Sequence, residues 1–157
     1  QMQLSDINNA GQIAGTIILQ HDGLPCMIDA TGKVSLIDLL PGDESGDARG
    51  INAAGTIVGF SDDPLGPEGG PQAFVWNQGT TTLLKLPPGT TASMAFGIND
   101  AGQIAGLLDV SSVDKAVEFN APTAKGSQAA ESDAATDAEE LLVQTLAFRW
   151  TPKPSGK

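Results

Sequence analysis

Apolar and polar positions along this chain fall into a phrase that occurs three times. "INNAGQIAG" (7–15), "INAAGTIVG" (51–59) and "INDAGQIAG" (98–106) each place one isoleucine before Asn-Xaa-Ala-Gly and then resume an apolar alternation. Alternation on both sides of a short polar break predicts two strands joined by a tight hairpin. In that reading Asn8, Asn52 and Asn99 bond their own turns through the side chain, and Gly11, Gly55 and Gly102 take the positive φ that the loop requires. A second glycine in each copy, Gly15, Gly59 and Gly106, lies inside the strand pattern. A missing side chain there marks a close backbone approach or a bend.

The phrase recurs at steps of 44 and 47 residues, a spacing that predicts a repeat architecture. A second phrase follows each copy, "PCMID" (25–29), "QAFVW" (72–76) and "LAFRW" (146–150). Aligned on it, Met27, Phe74 and Phe148 share one position, and Asp29, Trp76 and Trp150 share another. Cys26 then stands where the other copies have Ala73 and Ala147, which predicts a buried, inert thiol packed as a small hydrophobe. Met27 to Ile51 and Phe74 to Ile98 are both steps of 24, so half of each unit reads as fixed in length while the other half carries loops. Each unit is expected to hold four short strands: one ending at Ile-Asn, one after Ala-Gly, one at "AFVW" and one at "TTLLKL". That is the size of a β-propeller blade. The expected fold is one all-β domain, a propeller-like array of about three to four antiparallel blades (units 1–50, 51–97 and 98–157), the last incomplete in sequence.

"SMAFGINDAGQIAG" (93–106), "QAFVWNQGTTTLLKLPPG" (72–89) and "LAFRW" (146–150) resemble the HAF-type extracellular repeats. Their pattern runs Ser-x-Ala-x-x-Ile-Asn-x-x-Gly-x-Val-Val-Gly, then Ala-Phe-x-Trp, then a Leu-rich strand with Leu-Pro-Gly. The match covers residues 4–108 and 144–152. The resemblance implies a propeller-like fold and secretion or surface display, and it brings no enzyme activity or binding residue. The first unit departs from it, with "CMID" in place of Ala-Phe-x-Trp, and the third is interrupted by an insertion within 109–143.

Composition narrows the partners. With 8 Lys+Arg against 19 Asp+Glu the chain carries a net charge of −11, which repels nucleic-acid phosphates and anionic lipid surfaces. No apolar run approaches the roughly 20 residues that span a bilayer. A first residue of Gln1 fits a mature chain after removal of a leader. Within the insertion, 109–140 holds eight acidic and two basic residues, more than half of the net charge. It reads as a solvated loop, or alternatively as an assembly arm, since "KAVEFN" (115–120) and "ELLVQTLAFRW" (140–150) have strand character. "TDAE" (136–139) resembles a helix-capping box.

Candidate chemistry is sparse. His21 is the sole histidine and sits in a turn-like "QHDGLP"; no Gly-x-Ser-x-Gly, phosphate loop or paired cysteines occur. Asp62, Asp63 and Glu68 in "SDDPLGPEGG" offer hard oxygen ligands for Ca²⁺, but without ordered ligand spacing they read as an acidic turn. The three asparagines could line a sugar or ion site, though turn bonding accounts for them. Trp76 and Trp150 could stack a carbohydrate, though packing between units is the simpler use. The expectation is a cofactor-free, non-enzymatic, extracellular structural protein that assembles with itself into an oligomer or filament. The alternative is a lectin-like module with a glycan ligand. The next Ile-Asn is expected at 172, beyond Lys157, and an array of three units would leave edges and apolar faces for another chain to cover.

Overall fold

A computed structural model describes residues 1–20, 22–62, 70–86, 89–111 and 143–150. Every regular element among them is a β-strand: β1 (Met2–Ile7), β2 (Ile13–Leu19), β3 (Asp22–Ile28), β4 (Val34–Leu36), β5 (Ser45–Ile51), β6 (Ile57–Asp62), β7 (Gln72–Asn77), β8 (Thr80–Leu83), β9 (Thr90–Ile98), β10 (Ile104–Ser111) and β11 (Val143–Trp150). They form three antiparallel sheets, β1-β2-β3-β4, β5-β6-β7-β8 and β9-β10-β11, each with strands in chain order. His21, Asp63, Glu68, the "TDAE" stretch and most of the insertion lie outside the described residues.

Each Ile-Asn phrase turns the first strand of a sheet into the second. Gly11, Gly55 and Gly102 hold φ of 76°, 78° and 74°, a region that L side chains enter only with strain. Each first strand also carries a bulge at the same place, with Ser5, Arg49 or Phe96 left out of the pairing. The strand-interior glycine sits across from it. A Cβ on Gly59 would collide with the Asp47 carbonyl oxygen, and one on Gly15 would lie 2.7 Å from that of Gln3. The glycine exists to admit the bulged strand.

Pairing register corrects the alignment of the second phrase. Gly15 pairs with Cys26 where Gly59 pairs with Phe74 and Gly106 with Phe148. Cys26 therefore occupies the Phe74 position rather than that of Ala73, and Ile28, not Asp29, is the counterpart of Trp76 and Trp150. A turn of different length hides this equivalence in the sequence spacing. Asp29 to Lys33 closes with Asp29 N donating to Lys33 O, whereas Asn77 pairs directly with Thr80 across Gln78-Gly79. Both central residues of that shorter turn have positive φ, 48° and 87°, as a two-residue hairpin demands. The equal steps of 24 thus came from a one-residue offset cancelling one extra turn residue.

The sheets stack through two apolar cores. Ala14, Ile37, Leu40, Ala48, Ile51, Ile57 and Phe74 pack between the first and second sheets, with Met27 and Trp76 at the margin. Val58, Ala73, Leu84, Ala95, Ile104 and Leu108 pack between the second and third. Along β6 and β7 neighbouring residues serve opposite cores, Ile57 and Phe74 facing the first sheet, Val58 and Ala73 the third. All four are fully buried. A sheet covered on both faces needs continuous apolar runs, which is why "IVGF" and "AFVW" do not alternate. Burying Phe74 alone contributes about 2–3 kcal/mol.

Candidate functional site

The three hairpin asparagines do two jobs at once. Each Oδ1 accepts two backbone N–H groups of its own turn: Ala10 and Gln12 for Asn8, Ala54 and Thr56 for Asn52, Ala101 and Gln103 for Asn99, at 2.9–3.1 Å. Those donors fix the remaining atom as the amide nitrogen, which is free to reach outward. Asn8 Nδ2 donates to the backbone carbonyl of Asn52 at 2.9 Å, and Asn52 Nδ2 to that of Asn99 at 3.3 Å. The result is a ladder running from unit to unit along the first-strand hairpins. Asp6 Oδ2 and Asp100 Oδ1 reinforce it by accepting from Ile51 N and Ala53 N. Sequence reading found the turn role, which is local, and missed the link, whose partners stand 44 and 47 residues apart. The recurrence of asparagine, when Asp or Ser would close such a turn equally well, was the available signal.

The second feature is a bare sheet face. Residues that pair directly across strands share a face, and β1, β2, β3 and β4 are tied by Met2–Ile17, Leu4–Gly15, Ile7–Ile13, Leu19–Asp22, Cys26–Leu36 and Ile28–Val34. Ala14 and Met27 lie on the opposite face, against the second sheet. The face turned away therefore carries Met2, Leu4, Ile7, Leu19, Val34 and Leu36, six of the eight large apolar side chains that are exposed among the described residues. Leu4 is 55% and Leu36 58% accessible. Only Asp22, at the rim, brings charge to this register.

Cys26 is fully buried on that face all the same. It is flanked in the sheet by Leu36 and by Gly15, over whose vacant side-chain position Leu4 leans. Burial pushes its thiol pKa up. Asp62 lies beside Asp43 and Asp47; desolvation first, then those two charges, raises its pKa. Asp43 spends a carboxylate oxygen on the Ser61 hydroxyl and Asp47 pairs with Arg49 at 2.6 Å. Among the described residues no group of three or more ligand-type side chains is arranged to hold a metal ion. The Arg49 guanidinium lies 5.4 Å from the centre of the Phe60 ring. Trp76 packs against the core between the first two sheets, and Phe148 and Trp150 are placed by backbone register opposite Gly106 and Ile104. No helix among the described residues is long and apolar enough to cross a membrane. No protein-family model, curated protein or solved structure matches this chain.

Proposed function

We propose that this chain is a non-enzymatic structural protein that assembles with itself, through propeller-like blades, into an extracellular oligomer or filament. The observation that carries the reading is the bare face of the first sheet, where Leu4, Leu19 and Leu36 are each more than half exposed. An apolar face of this extent is a binding surface or an aggregation hazard. The β-meander order of each sheet and the double burial of the middle one support the blade comparison. Secretion rests on the resemblance to the HAF-type repeats.

The glycan-binding alternative leaned on the tryptophans as a stacking pair. Trp76 is instead part of the margin of an apolar core, which favours the structural reading. Light scattering on the purified native protein, followed by negative-stain microscopy, tests the proposal. Ordered oligomers or filaments are expected at micromolar concentration. Discrete monomers that bind oligosaccharides on an array would overturn it.

A further inference from the structure

We infer that the assembly is head to tail: a second copy lays the outer face of its third sheet on the bare face of the first sheet, and Asn99 of that copy extends the asparagine ladder to Asn8. This rests on the self-assembly reading above and adds which surfaces meet and in which direction.

Both junctions inside the molecule have the same polarity. Each sheet turns one face, carrying Ile57 in the second and Ile104 in the third, toward the sheet before it. The opposite face, carrying Ala14 in the first and Val58 in the second, turns toward the sheet after it. Ala14, Val58 and Ala105 hold one register position, opposite Met27, Val75 and Arg149. The first two are fully buried and Ala105 is exposed. At the other end, Ile13 shares the register of Ile57 and Ile104, which are buried, yet it is only half-buried. Among the described residues, two surfaces that meet twice within the chain are therefore each left once without a partner. A second copy supplies the missing mate to both ends with one and the same contact.

The hydrogen bonds choose the direction. Asn8 Nδ2 uses both of its protons, on Gln12 Oε1 at 2.8 Å and on the Asn52 carbonyl, while among the described residues Asn99 Nδ2 donates only to Gln103 Oε1, at 2.8 Å. On the acceptor side, the Asn52 and Asn99 carbonyls each take a glycine N–H and an asparagine amide. That of Asn8 takes Gly11 N. The ladder thus ends in a donor on the third unit and an acceptor on the first. Two copies joined through their bare first-sheet faces would bury apolar surface but bring two acceptor ends together. Only the head-to-tail contact continues the ladder, and such a heterologous contact propagates as a filament or closes as a ring.

Two experiments test this in the 157-residue chain. Ala53 N and Asp100 Oδ1 meet at 2.8 Å across the second junction, and the matching pair between copies is Asp100 with Asn9. Asn9→Cys and Asp100→Cys proteins, mixed and oxidised, are expected to give mainly the 9–100 disulfide, with buried Cys26 a spectator. Predominant 9–9 or 100–100 products in an assembling protein would overturn the head-to-tail contact and leave self-assembly standing. A stable monomer without cross-links would overturn both and give the face to another segment of the chain or an unlike partner. Asn99→Asp keeps the turn acceptor, loses the donor, and is expected to weaken association about tenfold with an unchanged melting temperature. Asn77→Asp, which adds the same charge on an exposed turn, is expected to have no such effect; equal weakening by both would overturn the ladder contact.

Discussion

At the scale of single residues, the two kinds of glycine that recur in the repeat are separable by experiment. Gly102 is held at φ 74° in an exposed turn, so Gly102→Ala is expected to cost about 1 kcal/mol through backbone strain. Gly59→Ala is expected to cost more, about 2–3 kcal/mol, because its Cβ would strike the Asp47 carbonyl of the bulged strand. Chemical denaturation ranks the two. Asn52 is nearly buried, and Asn52→Asp keeps its turn while removing the donor to the Asn99 carbonyl, for an expected loss of about 1–3 kcal/mol. Cys26, fully buried with its thiol pKa raised, is expected to react with a thiol reagent only as fast as the native state opens.

At the scale of elements, acid response divides between a turn and a strand end. Asp29 accepts from the Thr31 hydroxyl and from the Lys33 and Thr31 backbone N–H groups, which lower its pKa. Its contribution is present above the ordinary aspartate value and fades as pH falls through the lowered folded value. Asp62 at the end of β6 has the opposite sign: burial and the nearby Asp43 and Asp47 raise its pKa, so its ionised form is penalised in the folded state. That penalty disappears as pH falls through the raised value and Asp62 takes up a proton. Asp62→Asn is therefore expected to raise the melting temperature at pH 7, with the gain vanishing below about pH 4, near the ordinary aspartate value. Thermal melts across that range read the difference directly.

At the scale of the molecule, charge and apolar surface oppose each other. A net charge of −11 per copy makes copies repel, while the bare face of the first sheet draws them together. Salt screens the first over a Debye length of about 10 Å at 0.1 M and leaves the second intact. Association measured by light scattering is expected to strengthen as sodium chloride rises from about 10 mM to about 150 mM. Weakening with salt would mean that ion pairs, rather than the apolar face, hold the copies together.

The amino-acid sequence by itself determined the strands, the hairpin turns and the positive-φ glycines of the Ile-Asn phrases, because each is encoded within about ten consecutive residues by side-chain alternation and turn chemistry, and the return of the phrase at steps of 44 and 47 residues gave the repeat. It also held the reason for Gly15 and Gly59, though not the carbonyls that press on them. Register was decided only by tertiary structure. Cys26 stands opposite Gly15, as Phe74 does opposite Gly59, an equivalence that the extra residue in the Asp29–Lys33 turn hides in the sequence spacing, and alternation alone does not fix which residue meets which across a sheet. The second use of the asparagines, and the fact that Leu4 and Leu36 are bare while Ile57 and Phe74 are covered, depend on which sheet stacks on which. The asparagine links join residues 44 and 47 positions apart, and only the folded chain brings them and the stacked sheets together.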